Sequence, residues 1–189
     1  HVINQLLAGL SEKLTYHSIY HTLDVLEQCQ RIAGEEGIAD EHELYLLKTA
    51  ALYHDTGFLH TYKGHEEAGY KLAMQFLPAY GFSGQDLKKI GGMILATQLP
   101  QTPRNKMEEI ICDADLDYLG RPDFFSIAQL LYVEMKEKNL VNTQNEWNRM
   151  QVKFIKEHRY FTHSNQQARD PRKKRHCEIL ESDLLKRKD

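Results

Sequence analysis

Residues 49–58 read TAALYHDTGF, and this stretch decides the fold. Ahead of it, Leu44, Leu47, Ala50 and Ala51 recur at helical spacing and carry an apolar stripe to His54 and Asp55. Thr56 and Gly57 then stop the helix. Two side chains able to bind a metal therefore stand together where a buried helix ends. A helix end in the core holds such groups stiffly, and the break beyond it leaves room for a second molecule.

Working outward, every neighbouring segment also reads as helix. Upstream, Val2, Ile3, Leu6, Leu7, Leu10 and Leu14 predict a helical stripe over 2–14. A longer helix follows from about Ser18 to Glu36, with Ile19, Leu23, Leu26 and Ile32 on one face and Gly34 and Gly37 at its end. Asp40 reads as an N-cap, with Glu43 completing a capping box, for the helix that ends at His54-Asp55. Downstream, residues 58–64 form a connector, and 65–79 predict a helix whose last turn Pro78 strains. Ser83 opens the next helix, in which Gly91-Gly92 either weakens it or permits close packing. After a proline-containing loop come helices over 107–119, from Pro122 to about Lys138, over 143–160, and a polar one over about 164–186. No stretch alternates with a period of two. The expected fold is all-α, a compact bundle of about eight or nine helices in a single domain, 1–189.

Composition narrows the function. A net charge of -3 gives no nucleic-acid footprint over the chain. Cys29, Cys112 and Cys177 are odd in number and include no CxxC pair, which argues against a zinc knuckle and for a reducing cytoplasm. Cys29 and Cys112 fall in apolar patterns and are expected to be buried thiols. No apolar run approaches the roughly 18 residues of a membrane span, and no signal peptide is visible. His1 is left out of the chemistry, and His42 reads as a surface histidine.

The remaining histidines and a run of aspartates suggest a metal centre. A divalent ion needs several nitrogen or oxygen donors converging from a rigid frame. His54 and Asp55 supply two, and His21 lies on the preceding helix. In DADLDYLG, Asp113, Asp115 and Asp117 interrupt an apolar helical pattern, where carboxylates are costly to bury unless paired or metal-bound. Two histidines with carboxylates form a mixed donor set suited to Mn, Fe, Ni, Zn or Mg as the divalent ion.

The order H…HD…D resembles that of the HD-domain metal-dependent phosphohydrolases, through His21 in YHTLDV, the doublet in AALYHDTG and Asp115 in DADLDYLG. The resemblance covers about residues 14–120 and implies an all-α fold. It also implies His21, His54, Asp55 and Asp115 as the metal ligands, with Asp115 chosen over Asp113. Residues 16–25, YHSIYHTLDV, are similar to an element of the cyclic-nucleotide phosphodiesterases. That similarity implies His17 as the general acid on the leaving oxygen; in a helix, His17 and His21 would share a face. After HD the chain reads TGFLHTYKG, without the DHPG of those enzymes. Lys63, His65 and Arg121 are the expected substrate-binding residues, His65 leading its helix as in many HD domains, and Asp24 and Asp113 would orient ligands from behind. The function implied is metal-dependent hydrolysis of a small phosphate ester, monoester or diester, expected to be a nucleotide, with Asp55 and His17 catalytic. The alternative is a catalytically silent sensor domain that binds a metal or nucleotide.

Overall fold

The computed structural model describes residues 1–186; residues 187–189 of the expected domain lie outside the described residues. The described chain forms α1 (Val2–Gly9), α2 (Ile19–Glu35), α3 (Glu41–Tyr53), α4 (His65–Phe76), α5 (Gly84–Ala96), α6 (Lys106–Asp115), α7 (Phe124–Glu137), α8 (Gln144–Glu157) and α9 (His163–Lys186). Short 3-10 turns occupy Thr56–Leu59, Leu77–Tyr80 and Asp117–Gly120. Among the described residues there is no strand, and no helix is long and apolar enough to cross a membrane.

Local chemistry starts and stops these helices. Asp40 caps α3 by accepting from the His42 and Glu43 N–H groups. Glu43 does not complete a capping box, because its carboxylate pairs with Lys89 on α5 instead. Ser83 with Asp86, and Thr143 with Glu146, form full capping boxes at α5 and α8. Pro78 does not strain α4; the α-helix ends at Phe76 and Pro78 sits in the first positions of the following 3-10 turn. α1 stops at Gly9 rather than running to residue 14. The Gly91-Gly92 pair permits close packing, since a Cβ at Gly91 would come within 2.5 Å of the Tyr70 ring.

Two apolar clusters form. The first joins α1 to α6 through Leu6, Val25, Ile32, Leu47, Ala50, Ile94 and Ile111. The second joins α7, α8 and α9 through Phe124, Trp147, Ile155, Tyr160, Cys177 and Leu180, with Tyr16 and Leu119. All three cysteines are buried free thiols.

The polar last helix is integral, because charged groups anchor it. Asp113 is fully buried and accepts from the Phe161 N–H (2.8 Å), the Thr162 N–H (2.8 Å) and the Thr162 hydroxyl (2.6 Å). Asp117, also fully buried, accepts from Arg31 (2.7 Å), Asn165 (3.1 Å) and Arg169 (2.9 Å). Lys173, within the basic run 172–175, is buried and donates to the His158 carbonyl. The three aspartates of 113–117 thus have different partners: Asp113 takes neutral donors and Asp117 two guanidinium groups. These outer members have protein partners on the α9 side, and only Asp115 turns the other way.

Candidate metal centre

The site forms where α3 ends between the two apolar clusters. Thr56 donates from its hydroxyl to the Tyr53 carbonyl (2.7 Å), which satisfies one of the free carbonyls at the helix end. Gly69 of α4 lies against the Tyr53 and His54 carbonyls; a Cβ there would meet them at 2.9 and 3.1 Å. Gly57 brings the start of α4 closer still, since its Cβ would sit 1.8 Å from the His65 carbonyl oxygen. These contacts fix His54 and Asp55 against His65.

His54 donates from Nδ1 to the Ala51 carbonyl (2.8 Å), which leaves the Nε2 lone pair facing inward. His21 Nε2 lies 3.4 Å from His54 Nε2. Asp55 Oδ2 is 3.3 Å from each of those nitrogens. Asp115 Oδ1 is 3.2 Å from His21 Nε2 and 3.6 Å from His54 Nε2. Donors about 2.1 Å from an ion, at tetrahedral or octahedral angles, stand about 3.0–3.4 Å apart. His21, His54 and Asp55 thus each bring a donor atom within 4.8 Å of the others, spacings that fit one divalent ion, and Asp115 Oδ1 lies beside the two imidazoles. Asp55 Oδ2 is buried without a hydrogen-bond donor, an acceptor that a cation would satisfy.

The electrostatics agree. Burial works against a charged His21, but the Asp115 and Asp55 carboxylates beside it outweigh that and raise its pKa to about 9. His54 is raised too, chiefly by the Asp55 charge. Burial alone would push both carboxylates up. The His54 charge and the His21 imidazole beside it instead hold Asp55 well below the usual range, and the contacts with His21 and His54 bring Asp115 to about 2. The two carboxylates favour positive charge on the groups beside them.

A cavity of about 350 Å³ opens on this cluster, and Asp55, Asp115, His17, His65 and Glu66 line it. His17 stands just before the Ser18 N-cap, so it is not one turn back along the same helix as His21; the rings are nevertheless 5.9 Å apart. Its Nδ1 is 2.5 Å from Glu134 Oε1, and its ring stacks on Phe58 at 4.2 Å. Glu134 on α7 was not expected from the sequence. It is fully buried and also accepts from the Tyr16 N–H, the His17 N–H and the Tyr62 hydroxyl, each at 3.0 Å. Burial would raise its pKa, but the His17 ring and the two N–H groups hold it below the ordinary value. His65 Nδ1 faces the Tyr62 carbonyl (3.2 Å), and its Nε2 is 3.5 Å from Asp55 Oδ1 and from Glu66 Oε1.

Two expected substrate-binding residues lie elsewhere. Lys63 is exposed and does not line the cavity. Arg121 is bidentate to Asp24 (2.7 and 2.8 Å) and pairs with Asp123 (2.8 Å) at a separate depression behind His21, so its charge is already neutralised. Asp24 thus holds Arg121 and Asp113 holds the loop before α9; neither orients the clustered histidines.

A model of the HD domain family matches residues 18–117, more than half of the chain. No curated protein and no solved structure matches it. The family generally includes metal-dependent phosphohydrolases. The matched segment begins just before His21 and ends just past Asp115, so it encloses the whole cluster; the chain belongs to the HD domain family.

Proposed function

We propose that the protein hydrolyses a small phosphate ester, using a divalent ion (Mn, Fe, Ni, Zn or Mg) held by His21, His54, Asp55 and Asp115. One observation carries this reading: the buried His21, His54 and Asp55 bring metal-binding atoms within 4.8 Å of one another, Asp55 Oδ2 without any hydrogen-bond donor, and Asp55 opens with its neighbour Asp115 on a ligand-sized cavity. A bound divalent ion supplies a lowered pKa for water and withdraws charge from a phosphoryl oxygen.

The surrounding residues supply the rest. Water oxygen bonds to phosphorus as the bond from phosphorus to the ester oxygen breaks, and that oxygen leaves with a proton. His17 donates that proton from Nε2, because its Nδ1 is fixed on Glu134. The Glu134 carboxylate orients the ring. Asp55 would hold the ion through its carboxylate, and its Oδ1 lies 3.5 Å from His65 Nε2, where a water or phosphate oxygen can be held. Phe58 stacks on both His17 and His65, with ring centroids at 4.2 and 3.9 Å, and so holds both rings at one wall.

The test is reconstitution of metal-stripped protein with each ion. Phosphate release is then followed from phenyl phosphate and a nucleotide panel, and 4-nitrophenol release from bis(4-nitrophenyl) phosphate. Ion-dependent release that is lost in Asp55→Ala supports the reading. A tightly bound ion with no turnover of any ester favours the silent sensor instead.

A further inference from the structure

The cavity beside the cluster has two unlike halves. Its polar end carries three carboxylates, from Asp55, Glu66 and Asp115, and two imidazoles. The remainder, between α7 and α8, is lined by Leu116, Leu131, Met135, Trp147, Phe154 and Ile155. Among the described residues no lysine or arginine lines any part of it. Three of the neutral polar side chains in its wall make hydrogen bonds within the protein. The Thr97 hydroxyl donates to the Ile94 carbonyl (2.8 Å), the Tyr62 hydroxyl donates to Glu134 (3.0 Å), and the Gln151 amide reaches Asn148 (3.4 Å). The Gln151 carbonyl oxygen lacks a donor but is sealed from solvent.

We infer that the organic part of the ester is apolar, an alkyl or aryl group seated between α7 and α8 with its phosphate at the His21–His54–Asp55–Asp115 cluster. The inference rests on the hydrolase reading and names the substrate class for the same site. A polyphosphate would bring charge that one divalent ion cannot offset, against carboxylates and no fixed cation. A sugar or base would bury hydrogen-bonding edges against a hydrocarbon wall, which costs free energy for each unpaired group. An alkyl or aryl group meets neither penalty. The volume, about 350 Å³, is near the lower end of ligand pockets and suits one small group rather than a long chain.

The experiment uses full-length, Mn-loaded protein and the series methyl, butyl and hexyl phosphate, with AMP and glycerol phosphate alongside. The expected result is a rise in kcat/KM of about fourfold per added methylene until the cavity fills, as hydrocarbon burial gives. AMP and glycerol phosphate should fall below butyl phosphate. In parallel, calorimetry compares methylphosphonate with hexylphosphonate, and the hexyl compound should bind more tightly. Met135→Lys and Phe154→Ala should each reduce the hexyl-over-methyl preference in both turnover and binding. Measurable turnover with a flat series, or with AMP preferred, would overturn the apolar subsite and leave the hydrolase reading standing. No turnover of any ester, with hexylphosphonate still preferred and that preference lost in Met135→Lys, would overturn the hydrolase reading and retain the apolar subsite. Equal binding of the two phosphonates would remove the subsite.

Discussion

Glu134→Gln is the substitution that most sharply tests how His17 works. In the native protein one carboxylate oxygen takes the Tyr16 and His17 N–H groups, and the other takes the His17 ring at 2.5 Å and the Tyr62 hydroxyl. Glutamine keeps the side-chain length but offers a single acceptor oxygen. If that oxygen stays on the two backbone groups, the amide nitrogen meets His17 Nδ1, and a charge-assisted hydrogen bond becomes a neutral one. Charge-assisted bonds contribute about 1.5–3 kcal/mol and neutral ones about 0.5–1.5 kcal/mol. The difference, about 1–1.5 kcal/mol, is about tenfold in the population of the ring orientation that turns Nε2 to the leaving oxygen. kcat should therefore fall about tenfold, with KM and metal content little changed. The assay is phenyl phosphate hydrolysis by the Mn-loaded protein, with metal measured on the same samples. An unchanged kcat, or loss of the ion, would refute the account of Glu134 holding His17 as proton donor.

Asp113→Asn and Asp115→Asn should behave in opposite ways. The first puts an amide donor against the Phe161 or Thr162 groups and should cost about 1–3 kcal/mol in denaturant unfolding, with the ion retained; the second should lose the ion. Metal-free protein should lose stability as pH rises, because His21 is raised from 6.5 to about 9. The contribution of that protonated pair is fully present below about pH 6.5 and gone above about 9, whereas the ion-loaded protein should show no such loss over that window. Thermal unfolding with and without chelator checks this. Gly57→Ala should destabilise by at least the roughly 1–3 kcal/mol of an overpacked core, because its Cβ meets the His65 carbonyl at 1.8 Å; unchanged stability would mean that the approach of α4 to the 56–59 turn is not fixed.

The all-α fold was legible because the apolar spacing is helical from Val2 to Phe154 and no segment alternates. The centre of the site was legible for a different reason: His54 and Asp55 are adjacent in sequence at a helix stop, so no tertiary information was needed to pair them. Asp113, Asp115 and Asp117 were harder, since composition alone cannot say which turns inward. In a helix, residues two apart face nearly opposite ways, and only the tertiary partners of Asp113 and Asp117 show that they belong to the α9 side. Lys63 and Arg121 were chosen for nearness along the chain, which does not fix nearness in space; Asp24, far away in sequence, claims Arg121. Glu134 was missed because a helical glutamate ordinarily reads as a solvated charge. Its signal was its place on the apolar stripe, four and then three residues on through Ile127, Leu131 and Glu134. The last helix reads only as polar because its anchors are buried ion pairs and hydrogen bonds, which leave no hydrophobic period to read.

The most direct test is metal content by elemental analysis of the purified protein after reconstitution, in wild type and in Asp55→Ala, His21→Ala and Asp115→Ala variants shown by circular dichroism to be folded. The expected result is at least one divalent ion per chain in wild type, with loss of bound ion in each folded variant. A wild-type chain that takes up none of Mn, Fe, Ni, Zn or Mg, or a folded Asp55→Ala variant that holds its ion as tightly as wild type, would contradict a metal centre built from these four side chains.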